Sequence, residues 1–104
     1  MNLPNAGLLP QLPADAVVEV PAVVSASGVA GVTVPRLPDA IAAVLTARSL
    51  QQGLVVDAAV SGSRHLALEA LVLDPLVPDR ATALAILDDA VAADPVRLAS
   101  FAAP

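Results

Sequence analysis

Valine crowds the stretch from Ala16 to Ser25, where β-branched side chains favour an extended chain. A second extended run, Gly31 to Pro35, follows the turn signal Ser25-Ala26-Ser27-Gly28. A short β-hairpin is the simplest assignment, with Pro21 and Pro35 placing its strands at an edge or an end. Ahead of it, Pro4, Pro10 and Pro13 with Asn5 and Gly7 remove backbone donors and favour turns, so residues 1 to 15 read as an irregular loop or docking arm. From Asp39 the pattern turns helical, with Pro38-Asp39 as the start signal and Ser61-Gly62 as the stop.

At 100° per residue, Ile41, Val44, Leu45, Val55, Val56 and Ala59 form one stripe of that helix, and Ala43, Ala47, Leu50 and Leu54 form another on the opposite side. Two opposed stripes predict two partners. Gly53 inside the helix suggests a kink or a close helix–helix approach. Ser63 caps a following helix that runs to Leu73, where Asp74-Pro75 ends it, and its leucines again point to both sides. A last helix, from Asp79 or Arg80 to Ala93, gathers Ala83, Leu84, Leu87 and Val91 on one stripe and leaves Thr82, Asp88 and Asp89 to solvent. The fold class expected is α+β, helix-dominated, with an N-terminal loop and short hairpin followed by about three packed helices.

Composition sharpens this picture. The 104 residues fit one small domain, yet 57% are hydrophobic, 14% are charged and the mean hydropathy is +0.77. Ordinary soluble domains are roughly 45–50% apolar and about 25% charged. More of this chain asks to be buried than its own core can take, which points to packing against another domain and to a homo-oligomer. A transmembrane helix needs about 20 consecutive apolar residues, and the run Ala40–Leu45 is interrupted at Thr46 and Arg48. No signal-peptide pattern opens the chain, so a cytoplasmic address is expected. The net charge of −5, with five arginines, no lysine and a single aromatic residue, disfavours nucleic acid as a partner.

Two stretches carry a family resemblance. Asn5-Ala6-Gly7, Leu12-Pro13 and the run from Ala16 through Glu19 to Pro21 resemble the segment N-x-G-x-I-x-N-L-P-x-x-A-x-V-E-V-P of the family four glycoside hydrolases, with Leu9 for isoleucine and Gln11 for asparagine. Val56, Ala58, Ala59, Gly62, Ala67, Leu68, Ala70, Leu71 and Leu73-Asp74-Pro75-Leu76-Val77 resemble a second stretch of the same family. The Ala- and Arg-rich composition is most similar to its 6-phospho-β-glucosidases.

The resemblance implies an enzyme that uses NAD to oxidise the sugar at C3 and a divalent metal, manganese, to stabilise the enolate formed when a base removes the C2 proton, before the glycosidic bond is eliminated. It also implies a dehydrogenase-like architecture in which residues 1–104 form a single C-terminal-type domain or domain fragment, with the nucleotide-binding domain lying upstream and outside this chain. That chemistry needs a Gly-rich phosphate turn, metal ligands including Cys and His, and a base usually assigned to Tyr. The chain has no G-x-G-x-x-G, no Cys and no Tyr, so no catalytic, cofactor-binding or metal residue is assigned and the chain alone is expected to be inactive. Gly28-Val29-Ala30-Gly31 reads as a hairpin turn.

Asn2 and Asn5 are the candidate substrate-binding residues, since the resemblance places them on a loop near the sugar and an amide both donates and accepts; closing a local turn is the competing reading. Gly7 is expected at a φ that a side chain would forbid. Glu19 reads as an interior carboxylate or the solvent side of a strand, and His65 as a helix-surface partner of Glu69 rather than a metal ligand. Arg36, Arg48 and Arg64 read as salt-bridged or solvated rather than phosphate-binding. The reading from a different class is a non-catalytic helical self-association or interaction module. A lipid-binding protein would need one contiguous apolar cavity, which opposed stripes argue against.

Overall fold

A computed structural model describes residues 1–102. The chain forms two compact units, one from Met1 to Ser49 and one beginning at Leu50. The long helix α1, Asp39–Ser61, contributes its first turns to one and its later turns to the other.

The first unit holds two antiparallel hairpins. In one, β1 (Asn2–Pro4) pairs with β2 (Val17–Glu19), Leu3 opposite Val18, and the Met1 and Val20 backbones continue the ladder. β1 thus replaces the irregular arm expected there; Pro4 ends a three-residue edge strand, where its missing N–H costs no ladder bond. In the other, β3 (Ala22–Ser25) pairs with β4 (Gly28–Gly31) across the two-residue turn Ala26-Ser27. The Ser25 hydroxyl accepts the Ser27 N–H at 3.3 Å and meets the Ser27 hydroxyl at 2.7 Å, which tightens that turn. The second strand therefore starts at Gly28, earlier than the valine-rich run at Gly31–Pro35 suggests, and Gly28-Val29-Ala30-Gly31 is a strand rather than a turn. Val34 is drawn off the ladder because its N–H donates to Leu8 O at 2.8 Å. Leu9, Val18 and Val20 form the core of this unit, with Leu3, Leu8, Leu12, Ala16, Val34 and Leu37 packed around them.

In the second unit α2 (Arg64–Val72) packs on α3 (Arg80–Ala93). Side chains start both helices as the sequence predicts: Ser63 accepts the Leu66 N–H at 3.3 Å and Asp79 accepts the Thr82 N–H at 2.7 Å. Ala83, with zero exposure, lets the helices approach, and Leu68 and Leu87 fill the contact with Val77, Val91 and Phe101 beside them. Phe101 belongs to a 3-10 turn, Ala99–Phe101, that the sequence pattern did not predict. Arg64 holds it by donating to Phe101 O at 2.8 Å while pairing with Asp88. Asp88 is therefore an ion-pair partner, not merely part of a solvated face.

α1 starts at Asp39 and stops at Ser61, the limits its start and stop signals predict. Only Ala42 and Ala58 of this helix are buried. Members of both predicted stripes stay exposed, among them Val44 at 65% and Leu50 at 57%. Gly53 is no point of close approach: a Cβ there would meet nothing within 4 Å.

Gly62 ends α1 at φ +68°, and a Cβ added there would lie 2.8 Å from Ser100 Cβ. Gly62→Ala combines left-handed strain with a clash and is expected to lower stability by about 1–3 kcal/mol, read as a lower urea midpoint. A second test concerns the α3 cap. The Thr82 N–H, donating to the Asp79 carboxylate, holds its pKa below the ordinary 3.8. A depressed folded-state pKa stabilises the fold fully above the unfolded value and less as pH falls through the folded one. Thermal unfolding followed between about pH 5 and about pH 2 should therefore lose less stability in Asp79→Asn than in the parent chain.

Candidate functional site

The segment joining β1 to β2 is a loop closed at its base by Asn5 N–H to Ala16 O at 2.7 Å and Ala6 N–H to Ala14 O at 2.9 Å. Inside it, Pro10 and Pro13 supply carbonyls without supplying donors, so backbone acceptors outnumber the N–H groups able to reach them. The Asn5 side chain makes up the difference. The two hydrogens of its Nδ2 are shared among Leu9 O at 3.0 Å, Leu12 O at 3.1 Å and Pro13 O at 3.0 Å, while its Oδ1 accepts the Leu9 N–H at 2.7 Å. The side chain is completely buried, and no buried side-chain nitrogen or oxygen among the described residues lacks a partner. Only an amide can donate and accept at that position: Asp would lose the donors and Leu both functions.

The consequence for the predicted site is specific. Asn5 faces the interior and its polar atoms are spent on the loop's own backbone, whereas Asn2 lies exposed on β1 opposite Glu19, also exposed. The outward part of the loop is Ala6-Gly7, both exposed, at φ +42° and +92°. The positive φ expected at Gly7 is present, and Ala6 shares it, which costs a side-chain-bearing residue of order 1–3 kcal/mol and persists only where the surroundings over-determine it.

A second amide fastens the loop. Gln11 Nε2 donates to Leu37 O at 3.0 Å and Gln11 Oε1 accepts the Leu37 N–H at 2.6 Å, so the side chain pairs with the backbone as a neighbouring strand would. Leu37 immediately precedes the Pro38-Asp39 start of α1. Sequence reasoning gave Gln11 no role of its own; the signal available was a polar side chain amid Pro10, Leu12 and Pro13.

The other candidates are scattered. Arg36 pairs with Asp39 at 2.8 Å on the surface, Arg64 is committed to Asp88 and Phe101, and Arg48 is also engaged. Glu69 pairs with Arg80 at 2.9 Å rather than with His65. The hydrogen bond from Arg80 is the main cause holding the Glu69 carboxyl below its usual range, with His65 only a minor one. No group of three or more His, Cys, Asp or Glu able to hold a metal occurs among the described residues.

These features define a class: an α+β fold that presents an ordered surface loop and exposed apolar helix residues. The family is then fixed by similarity. Residues 1–77 match the Family 4 glycosyl hydrolase C-terminal domain, and the chain belongs to that family. It is 38% identical over 74 residues to an alpha-glucosidase of Erwinia rhapontici, covering 71% of this chain and 16% of that protein. It is 31% identical over 101 residues to a probable 6-phospho-beta-glucosidase of Bacillus subtilis (strain 168), covering 97% of this chain and 23% of that one. A solved 6-phospho-alpha-glucosidase from gut microorganisms, in complex with NAD and glucose-6-phosphate, superposes with a TM-score of 0.87 at 31% identity over 93% of this chain and 22% of its own. The chain thus spans less than a quarter of the length of these relatives; the helix-dominated α+β class holds, and residues 1–77 correspond to the family's C-terminal domain.

Asn5→Leu keeps the volume but strands Leu9 N–H and Leu12 O, whereas Leu9 O and Pro13 O keep the N–H groups of Leu12 and Ala16. At about 1–3 kcal/mol per unsatisfied group, a loss of about 2–6 kcal/mol is expected. Hydrogen exchange at the Leu9 amide should rise sharply while amides of α3 are unaffected.

Proposed function

We propose that this chain is the substrate-side and self-associating C-terminal portion of a glycosidase that, in complete form, hydrolyses glycosides or 6-phosphoglycosides by an NAD- and manganese-dependent redox elimination. The observation that carries this reading is the Asn5-centred loop, which lies inside the matched C-terminal domain and presents a strained tip at Ala6-Gly7, while Asn2 is exposed on the adjoining strand β1. Asn5 shapes the loop from within, and Asn2 is the side chain available to a sugar hydroxyl.

NAD and manganese belong, in this reading, to the nucleotide-binding portion of the complete enzyme. The described residues do not fit either group, since metal-ligand clusters are lacking among them and the sequence has no Gly-rich phosphate turn. Turnover by this chain alone is not expected. The similar relatives act by name on α- and β-linked glucosides alike, which supports placing anomeric choice elsewhere in the enzyme. No helix among the described residues is long and apolar enough to cross a membrane, and a cytoplasmic site of action is part of the proposal. The second reading, a non-catalytic self-association module, draws on the exposed apolar stripes of α1.

Co-expression with the nucleotide-binding portion of a related enzyme, followed by assay of a chromogenic 6-phospho-β-glucoside with NAD and manganese, separates the two. Hydrolysis that requires this chain, with kcat/KM reduced roughly tenfold by Asn2→Ala, is the expected result, one lost hydrogen bond being worth about 0.5–1.5 kcal/mol. No hydrolysis, from a chain that is folded and of defined mass by itself, would transfer the assignment to the interaction module.

A further inference from the structure

The turn at the tip of the β1–β2 loop carries more strain than its shape requires. Leu8 N–H donates to Asn5 O at 2.7 Å, and the central residues Ala6 and Gly7 have φ of +42° and +92°, the signs of a type I′ turn. Both central positions of such a turn favour Asn, Asp or Gly, because other side chains are strained there. Gly7 conforms, but Ala6 is the one residue other than glycine with positive φ among those described. Asn or Asp at position 6 would form the same turn with less strain while placing a polar side chain over it, and Gly would leave it bare but loose. Alanine leaves the backbone open and still restricts it.

The backbone displayed in this way is unused. Ala6 N–H is taken by Ala14 O, whereas no hydrogen bond among the described residues engages the Gly7 N–H or the Ala6 carbonyl, the two polar groups of the central peptide. Both residues are exposed. Behind them the turn is fixed by the Asn5 amide and by the Asn5–Ala16 closure. A donor and an acceptor held in place before a ligand arrives need little further ordering on binding.

We propose that this central peptide is a carbohydrate contact, with Gly7 N–H donating to one sugar hydroxyl and Ala6 O accepting from another. The ligand class follows from what the turn offers. A phosphate is held by several N–H groups together or by a cation. Here one N–H is free, the chain has no lysine, and each of its five arginines is engaged with another group. Hydroxyls donate and accept without charge, which matches a lone peptide. The chain therefore reads neutral positions of the sugar, and a 6-phosphate, where the substrate carries one, is bound outside it. This deepens the substrate-side part of the proposed function and rests on it.

The test is binding of glucose 6-phosphate, the sugar held by the similar solved structure, measured by calorimetry with NAD on the complex with the nucleotide-binding portion of a related enzyme. Ala6→Asn and Ala6→Asp both suit the type I′ turn and should raise the thermal midpoint, so a loss of binding cannot come from misfolding. The carboxylate of Ala6→Asp, set beside a sugar phosphate, should weaken binding about tenfold more than the neutral amide of Ala6→Asn. Replacing the Ala6–Gly7 amide by an ester, through semisynthesis, removes the Gly7 N–H and weakens the Ala6 acceptor while keeping every hydrogen bond of the loop. Affinity should then fall about two- to tenfold, the value of one lost hydrogen bond, with the bonds of the loop intact. Equal affinities for the Asn and Asp variants, or an ester that binds as tightly as the parent, would overturn the proposal and leave the glycosidase reading standing. A parent complex that binds no glucose 6-phosphate would overturn both.

Discussion

A single buried amide, Asn5, holds the loop on which the core of the first unit is built. The β1–β2 hairpin is only three residues deep on each side, and such a ladder alone is marginal in water. What turns it into a folded element is the loop between its strands, which folds back so that Leu9 and Leu12 reach Val18 and Val20. That inward turn carries backbone carbonyls into an apolar interior, where each unpaired one would cost about 1–3 kcal/mol. Asn5 removes the cost from the inside. The hydrophobic cluster and the polar interaction are thus coupled, since burying Leu9 and Leu12 brings in a Leu9 N–H and a Leu12 carbonyl that the amide satisfies.

The second unit solves a different problem. Its helices are capped by their own side chains and meet through an alanine, so their formation depends little on distant residues. Its uncovered apolar surface is the weak point. Each large aliphatic side chain left in water forgoes roughly 1.5–3 kcal/mol, against a typical net stability of about 5–15 kcal/mol. Several such residues on α1 therefore carry as much potential energy of association as the domain has stability. A helix with exposed apolar residues on opposed sides is suited to an assembly, and relatives several times longer than this chain provide the setting for one.

What was legible in the sequence follows the range of the forces involved. The starts at Asp39, Ser63 and Asp79 could be read because cap chemistry acts within three residues. β1 could not, because its partner strand lies beyond a long loop and neither Asn2 nor Pro4 favours a strand. The shift of the second strand has the same origin: Val32, Thr33 and Val34 have the higher strand propensity, yet Gly28, Ala30 and Gly31 occupy the ladder because the tight serine turn sets the register. The 3-10 turn rests on Arg64 reaching Phe101, far along the chain, and left no local mark. At the candidate site, Asn5 stood out as special but its direction did not. An amide beside Pro and Gly can face a ligand or its own loop, and here it faces the loop, meeting the Leu9 N–H and the carbonyls of Leu9, Leu12 and Pro13.

Gln11 extends that logic from the loop to the helix behind it. The family motif has asparagine at this place, and the extra methylene of glutamine lets the amide pair in both directions with Leu37, just before α1 begins. The Thr46 hydroxyl, from α1 itself, also donates to Gln11 O at 3.4 Å. Within the first unit, therefore, the exposed Ala6-Gly7 tip is joined to the start of α1 through side-chain amides on both sides of Leu9. Two hydrogen bonds between Gln11 and one residue's backbone fix orientation as well as distance, so a rotation at the helix entry cannot be absorbed at Gln11 without breaking a bond. The tip and the helix entry then form one mechanical piece, which is how a short hairpin and a strained turn can hold a defined surface without a large core beneath them.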